Sequence, residues 1–318
     1  MKILLTGATG FVGRALTAEL LRCHYDVVAG VRKVSTDLPN EIRQEAVGDF
    51  SPDTEWSVAL QGIDVVVHSA ARVHVINENH ADSLPIYRRV NVDVTLNLAR
   101  QAAAAGVRRF IFISSIKVNG EKSAPGQAFK PDDLAANTDP YALSKYEAEQ
   151  ELMALSETTG MEIVIIRPPL IYGPGVRANF RALMKWVNKG VPLPFGAIHN
   201  KRSLLALDNL LDFVICCINH PKAANQIFLI SDDEDVSTTE LLQKVAKALG
   251  KRLLLLPVPV NLMKLVVKLI GKEDIVTRLF GSLQVDNSKA KELLGWKPVI
   301  TMDDQLRKTA KAFVDEKA

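Results

Sequence analysis

The sequence has little cysteine, and its few cysteines form no disulfide or metal-binding pattern. The sequence has no CxxC motif, and an odd number of cysteines leaves one thiol unpaired in any disulfide scheme. The cysteines are Cys23, Cys216 and Cys217. They therefore indicate buried thiols in a reducing compartment, and a cytoplasmic protein is expected. A metal site is not expected, because the histidines lack compact ligand spacing. The histidines concerned are His68, His74, His80 and His199.

Long apolar runs and runs of one charge are also missing. The most apolar stretch, residues 253–272, is interrupted by prolines and lysines and falls short of the roughly 20 continuous apolar residues of a membrane span. Stable membrane insertion is therefore not expected, although peripheral membrane contact remains an alternative to a helix of a C-terminal lobe. A net charge of +3 without a long Lys/Arg run gives no indication of nucleic-acid binding.

Short apolar runs alternate with helical patterns in the first half of the chain. Candidate buried strands are residues 2–6, 27–32, 65–68, 110–114 and 163–167. Candidate helices are residues 11–22, 83–105 and 140–159. Such alternation predicts an α/β fold with a doubly wound parallel sheet covered on both faces. The regularity ends near Pro168, in RPPLIYGPG.

The first strand leads directly into a glycine turn and a helix, in ILLTGATGFVGRALTAELL. Gly7, Gly10 and Gly13 would permit a tight turn, close approach of a pyrophosphate, and close helix–strand packing. The pyrophosphate would lie at the helix N-terminus. We therefore expect a Rossmann-type dinucleotide-binding domain over residues 1–167 and a smaller substrate-binding lobe over residues 168–318, some of whose segments return to the sheet. Within the turn, the cofactor site would also include Thr9, Phe11 and Val12.

The end of the second predicted strand bears on the choice of cofactor. An acidic residue there would accept the ribose 2′-hydroxyl of NAD, whereas an Arg favours the 2′-phosphate of NADP. The chain has Arg32 and Lys33 at this place, in VVAGVRK. NADP(H) is therefore favoured, with NAD possible and two solvated cations as the simpler interpretation.

Seven motifs in register resemble the extended short-chain dehydrogenase/reductase family, specifically its nucleotide-sugar epimerases, dehydratases and reductases. They are GATGFVG, VGDF, HSAAR, VNVDVT, SSIKVNG, YALSK and RPPLIYGPG, and the resemblance extends to Pro298. It implies that Asp49 contacts the adenine and that Ala70 and Ala71 line the nicotinamide ribose and pyrophosphate. It also implies that Asn91 supports the site and that Pro168 lies near the nicotinamide ring.

The YALSK motif places a phenol and an ammonium four residues apart, on one face of a predicted helix. The resemblance implies that Tyr141 and Lys145 are the catalytic pair and Ser115 the catalytic hydroxyl, with Ser114 as the competing assignment. Tyr141 would exchange a proton with a sugar oxygen during hydride transfer. Lys145 would hold the ribose hydroxyls and lower the pKa of Tyr141, while Ser115 would hydrogen-bond the reacting oxygen.

The positions after the catalytic Ser narrow the reaction. Dehydratases of the family carry Asp-Glu there, whereas this chain has Ile116 and Lys117, so a 4,6-dehydratase is not expected. Epimerases and 4-ketoreductases both remain. An epimerase retains its cofactor and a reductase exchanges it, so the NADP(H) expectation from Arg32 favours a reductase.

Two further segments, HNKRSLL and RLFGSLQVD, resemble bacterial enzymes that act on UDP-N-acetylamino sugars for surface polysaccharide. The resemblance implies a 4-ketoreductase of a UDP-4-keto-6-deoxy-N-acetylhexosamine, acting in lipopolysaccharide precursor synthesis. The first alternative is a UDP-glucose or UDP-N-acetylglucosamine 4-epimerase with retained NAD(P). The second is a non-catalytic NADP-binding redox sensor, which would have no need for a proton relay.

The same resemblance implies substrate contacts and an oligomeric state. Asn179 and Arg202 would contact the nucleotide diphosphate, and Ser115 and Lys117 would complete the substrate site. A homodimer would pair the predicted helices at residues 91–105 and 140–159. The small residues of LNLARQAAAAG would permit this close approach, and burial within one chain is the alternative use for them.

Overall fold

A seven-stranded, entirely parallel sheet forms the centre of the protein. The computed structural model describes residues 1–72, 80–124, 126–133, 139–269 and 279–316, so His74 and Lys272 lie outside the described residues. The strand order in the sheet is β3-β2-β1-β4-β5-β6-β9. Its strands are β1 (Lys2–Thr6), β2 (Asp26–Val31), β3 (Arg43–Ala46), β4 (Val65–His68), β5 (Arg109–Ile113), β6 (Glu162–Arg167) and β9 (Gln226–Leu229).

Helices cover both faces of this sheet because successive strand residues point to opposite sides and nearly all are apolar. In β1, Ile3 and Leu5 belong to one buried cluster, together with residues of α1 and α6. Leu4 belongs to the other cluster, which includes residues of α3 and α4. The helices are α1 (Phe11–Arg22), α3 (Val94–Ala104), α4 (Pro140–Thr159) and α6 (Leu207–Asn219). The predicted doubly wound α/β fold is confirmed.

A second, three-stranded sheet lies in the C-terminal half. Strand β8 (Arg202–Ala206) pairs in parallel with β7 (Leu170–Tyr172) and antiparallel with β10 (Asp235–Val236). A third buried cluster joins it to three helices. These are α5 (Ala178–Lys189), α7 (Thr238–Ala248) and α10 (Met302–Asp315). Two further helices of this half are α8 (Val260–Leu269) and α9 (Ser288–Leu294). Because β9 joins the large sheet, the C-terminal half contributes to both sheets; the domain boundary at residue 167 stays a prediction.

The helix predicted over residues 83–105 is not continuous. It consists of α2 (His80–Arg88), a π-helical turn at Arg89–Asp93 and α3. A π-helical turn within a helix is frequently found at functional sites. Here it contains Asn91, one of the residues predicted to support the cofactor site.

One buried ion pair connects α4 to the end of β6. Glu149 and Arg167 have side-chain exposures of 0% and 1%, and Arg167 Nη2 lies 2.6 Å from Glu149 Oε2. The guanidinium also donates to Asn119 Oδ1 at 3.1 Å and to the Pro131 carbonyl at 2.8 Å. Ser114 Oγ, just after β5, donates to Glu149 as well. A buried charge is tolerated only when it is paired and hydrogen-bonded, and this network meets that requirement.

Among the described residues, no helix combines the length and the apolar character that crossing a membrane requires.

Replacing Glu149 with Gln should destabilise the protein strongly, because the Arg167 guanidinium would stay buried without its counter-charge. Loss of one partner of a buried pair costs about 3–5 kcal/mol. A urea titration followed by circular dichroism should show a correspondingly lower unfolding midpoint. Glu151→Gln, the same change at an exposed position of α4, is the control, and equal midpoints for the two variants would contradict the assignment.

Candidate active site

The glycine turn after β1 forms an open cradle at the start of α1. Gly7 adopts a left-handed φ of +76°, and its carbonyl accepts a hydrogen bond from Gly10 N at 2.9 Å. A Cβ at Gly13 would lie 2.0 Å from the Gly7 oxygen, and one at Gly7 would lie 2.7 Å from Ala70 N. Within the described ranges, no side chain caps the N-terminus of α1 at Gly10. The residues thus fit a dinucleotide, whose pyrophosphate would take the free N–H groups.

The end of β2 lies beside this cradle and carries two exposed cations, Arg32 and Lys33. The strand itself ends at Val31, and no acidic residue occupies the following two positions. The closest acid in sequence, Asp37, is paired with Arg14 at 2.6 Å. The arrangement leaves Arg32 and Lys33 available to a phosphate at the rim of the cradle.

A chain of buried polar side chains lies beneath the cradle and was not predicted from the sequence. Thr6 Oγ1 lies 2.7 Å from His68 Nδ1, and His68 Nε2 lies 3.0 Å from Thr95 Oγ1. Thr95 in turn donates to the Asn91 carbonyl at 2.8 Å. Burial, helped by the charge of Lys145, lowers the pKa of His68 to about 3, so a neutral imidazole joins β1 and β4 to α3.

Asn91 connects the loop after β4 to the start of α4. Its Oδ1 accepts from Arg72 N at 2.9 Å, and its Nδ2 donates to Ser144 Oγ at 3.0 Å. The Ser144 hydroxyl donates to the Tyr141 carbonyl at 2.8 Å. Asn91 therefore acts on the first turn of α4, which carries Tyr141, through a single intervening side chain.

Ser115, Tyr141 and Lys145 meet at the carboxyl ends of β5 and β6. The side chains of Ser115 and Tyr141 are hydrogen-bonded to each other. Ser114 donates instead to Glu149, and this difference favours Ser115 over Ser114 as the catalytic hydroxyl. Lys145 Nζ donates to the Ile113 carbonyl at 2.9 Å.

The pKa of Tyr141 does not follow the sequence-based expectation. Burial raises it to about 12, and the hydrogen bond from Ser115 opposes that shift. Burial also lowers the pKa of Lys145 to about 7, against the charge of Glu149. The expected lowering of the Tyr141 pKa was therefore wrong for this arrangement, because burial is the largest influence on it. The Lys145 side chain donates to a backbone carbonyl and lies 4.1 Å from the centroid of the Phe112 ring.

Tyr87 is a second phenol beside Tyr141, and sequence reasoning missed it. Its ring meets the Tyr141 ring edge-on, with centroids 6.0 Å apart. The side chain is 2% exposed, and among the residues that the structure describes its hydroxyl has no hydrogen-bond partner. The spacing could have revealed it, because Tyr87 lies four residues before Asn91 on the same helical segment.

The residues predicted to bind substrate are only partly brought together. Lys117 Nζ pairs with Glu121 at 2.8 Å and with Asp139, the residue that caps α4. Burial works against the charge of Lys117, but these two partners outweigh it and raise its pKa. Burial lowers the pKa of Arg202, and Glu121 opposes this, so Lys117 and Arg202 are near one carboxylate. Asn179 is exposed in the first turn of α5.

Two further predicted residues follow different strands of the large sheet. Asp49 is exposed after β3, and its carbonyl accepts from Thr54 Oγ1 at 3.2 Å. Pro168 is buried directly after β6, and its carbonyl accepts from Ile116 N at 3.0 Å. Pro168 thereby holds the end of β6 beside the segment that carries Ser115. Within the described ranges, no group of three or more His, Cys, Asp or Glu side chains could hold a metal ion.

Comparison with known proteins identifies the family. The model described as "NAD dependent epimerase/dehydratase family" matches residues 3–231. The chain belongs to this family. It is 52% identical over 314 residues to a protein of Vibrio cholerae named UDP-glucose 4-epimerase, with 98% of this chain and 95% of that protein covered. The chain is accordingly an enzyme of the epimerase/dehydratase family, which confirms the resemblance found in its motifs.

Solved structures of the epimerase/dehydratase family share the fold over the full chain. A UDP-glucose 4-epimerase of Thermotoga maritima, solved with UDP-glucose, aligns with a TM-score of 0.78 at 21% identity and covers 100% of both chains. A UDP-glucuronic acid 4-epimerase of Bacillus cereus, solved with NAD, aligns with a TM-score of 0.77 at 24% identity and covers 99% of both chains. At these identities the likeness concerns the fold.

The neutral state of His68 predicts how stability depends on pH. In the unfolded chain a histidine takes up a proton below its ordinary pKa of 6.5, whereas folded His68 does so only near 3. The free energy of unfolding should therefore fall by about 2 kcal/mol between pH 7 and pH 5 on account of this residue.

Urea titrations at the two pH values measure this difference. His68→Gln should lose about 2 kcal/mol less than the parent on acidification, because glutamine does not titrate there. The exposed His199 supplies the control His199→Gln, which should behave like the parent. The same pH dependence in His68→Gln and in the parent would show that His68 is not the titrating group.

Proposed function

We propose that the protein is a UDP-hexose 4-epimerase that uses a retained NAD(P). The observation that carries the proposal is the 52% identity, over nearly the whole chain, to the Vibrio cholerae protein of that name. The site supports it, since Ser115, Tyr141 and Lys145 provide a proton relay while Ile116 and Lys117 stand where a dehydratase would need carboxylates. The redox-sensor alternative has no support, and the reductase first expected from the sequence has less support than the epimerase.

The proposed chemistry gives each of the three side chains a separate role. When bound, an oxidised dinucleotide would supply the hydride acceptor. Tyr141 would take the proton of the sugar 4-hydroxyl as a hydride leaves C4, and would return that proton to the same oxygen when the hydride comes back to the opposite face of C4. Ser115, which is hydrogen-bonded to Tyr141, would also hydrogen-bond the 4-oxygen of the sugar as charge develops on it. Lys145 would hold the ribose hydroxyls of the dinucleotide.

Removal of the Tyr141 hydroxyl tests this mechanism. Tyr141→Phe should lower kcat for interconversion of UDP-glucose and UDP-galactose by roughly 10²–10⁴-fold, the usual contribution of a general acid/base. Dinucleotide binding, measured by fluorescence titration, should survive. Tyr146→Phe removes the same atom from a half-buried tyrosine of the same helix and is the control. Equal turnover in the two variants would remove Tyr141 from the reaction.

A second candidate function rests on Arg32. An exposed Arg at the end of β2, without an acid at the next position, favours the 2′-phosphate of NADP(H). Exchangeable NADPH would suit a 4-ketoreductase of a UDP-4-keto-6-deoxy-N-acetylhexosamine, as in surface polysaccharide synthesis. The protonated state that burial imposes on Tyr141 also suits donation of a proton to a keto oxygen.

The dinucleotide carried by the purified protein separates the two functions. Denaturation followed by chromatography should release NAD⁺ or NADP⁺ in near-stoichiometric amount from an epimerase, even after dialysis. An empty site that takes up NADPH reversibly would support the reductase.

Arg32→Ala should weaken NADPH binding at least tenfold and leave NADH binding unchanged, whereas Lys297→Ala, at an exposed site elsewhere, should change neither. Unchanged NADPH affinity in Arg32→Ala would exclude the phosphate role.

Two further parts of the proposal are the residues that contact the substrate and the formation of a homodimer. Arg202 and Lys117, near the common carboxylate Glu121, would exchange that partner for the UDP diphosphate, with Asn179 at the rim. The small residues of α3 do not by themselves support a dimer, because Ala99 and Ala102 are fully buried within one chain. Dimerisation through α3 and α4 therefore rests on the family resemblance.

A further inference from the structure

A group of exposed apolar side chains lies on the C-terminal half, outside the candidate active site. We define it as the 186–262 surface. Its members are Trp186, Val191, Leu254, Leu256 and Leu262, with exposures of 45%, 45%, 57%, 43% and 53%. Large apolar side chains exposed singly are ordinary, whereas a group of them marks an interaction site.

Backbone pairing explains why Leu254 and Leu256 face solvent. Leu193 N donates to the Leu254 carbonyl at 3.0 Å, and Leu256 N donates to the Leu193 carbonyl at 2.8 Å. In an extended pair, alternate side chains point to opposite sides. Leu193 and Leu255 accordingly belong to the third buried cluster, and Leu254 and Leu256 point outward. These two leucines are held in place by backbone contacts and by their inward neighbours.

The other members are tied to this extended pair. Trp186 of α5 stacks on Phe195, with ring centroids 6.5 Å apart. Gly196, next to Phe195, donates its N–H to the Leu256 carbonyl at 3.0 Å. Leu262 lies in the first turn of α8, which begins four residues after Leu256. The apolar side chains are therefore grouped on one part of the molecule.

The two segments that carry these side chains contain charged residues of only one sign, although Arg181 of the first segment pairs with Glu316. The segments 178–200 and 249–264 contain no Asp or Glu, although 36 acidic residues among 318 would place about four there on average. Five of their basic residues are exposed, and within the described parts of the chain none of the five takes part in an ion pair. These residues are Lys185, Lys189, Lys251, Arg252 and Lys264.

We propose that the 186–262 surface binds peripherally to an anionic lipid membrane. Apolar side chains flanked by lysine and arginine are the composition of interfacial membrane contacts, because the apolar groups enter the boundary of the acyl region while the cations meet anionic headgroups. The alternative partner is a second copy of this chain. If the same surface of two copies met, five cations would face five cations and repel them. The proposal goes beyond the proposed activity and does not depend on it.

Vesicle sedimentation tests the proposal with the full chain. The protein should sediment with vesicles of equal parts phosphatidylcholine and phosphatidylglycerol, remain in solution with phosphatidylcholine alone, and be released by high salt. The double variant Leu254→Glu/Leu256→Glu should bind the anionic vesicles at least tenfold more weakly. Lys251→Gln/Arg252→Gln should weaken binding and flatten its salt dependence.

Matched variants keep the test decisive. Val299→Glu/Val314→Glu changes two valines with exposures of 59% and 50% outside the 186–262 surface, and it should bind vesicles like the parent. An unaltered thermal unfolding curve verifies that each variant is folded. Failure of the parent to sediment with anionic vesicles, or equal losses in both Glu double variants, would overturn the proposal. A concentration-dependent dimer that only the Leu254→Glu/Leu256→Glu variant abolishes would assign the surface to a second copy instead.

Discussion

The buried ion pair between Glu149 and Arg167 is the contact on which the arrangement of Ser115, Tyr141 and Lys145 depends. Both side chains are almost fully removed from water, and such charges are tolerated only together. Their pairing fixes α4 against the end of β6, and the Ser114 hydroxyl adds the end of β5 to the same carboxylate. Tyr141 and Lys145 lie on α4 two turns and one turn before Glu149. A requirement of burial thus determines where the proton-transfer groups stand relative to both strand ends.

The same burial sets the electrostatics of the site. It raises the pKa of Tyr141 and lowers that of Lys145, because both charged forms lose solvation. In such surroundings an added charge is weakly screened. The ionisation of Tyr141 therefore depends on what charge lies beside it, and the protein alone leaves the phenol protonated. His68 follows the same rule and serves as a neutral link between Thr6 and Thr95.

Local sequence patterns were enough to predict most of the fold and part of the candidate site. The glycine turn and YALSK each lie within a few residues, so spacing alone predicted their conformations. Contacts between distant residues could not be predicted this way: Thr6 meets His68 across 62 positions of sequence, and Lys117 meets Asp139 across 22. The direction of the Tyr141 pKa shift was missed for a related reason, because sequence spacing shows the neighbouring ammonium but not the depth of burial. The π-helical turn at Arg89–Asp93 interrupts a pattern that looks continuous in sequence.

The choice between epimerase and reductase depends on the rim of the cofactor cradle more than on the catalytic residues. Both reactions need a hydroxyl, a phenol and an ammonium at one sugar carbon, and Ser115, Tyr141 and Lys145 serve either. They differ in whether the dinucleotide leaves after each turnover. Retention requires contacts that enclose it, whereas the side of the cradle next to Arg32 is open to solvent. An exposed cation contributes little in water but more to a phosphate it can reach. Whether Arg32 gains such a partner therefore bears on the choice between NADP and NAD, whereas retention of the dinucleotide, whichever it is, distinguishes an epimerase from a reductase.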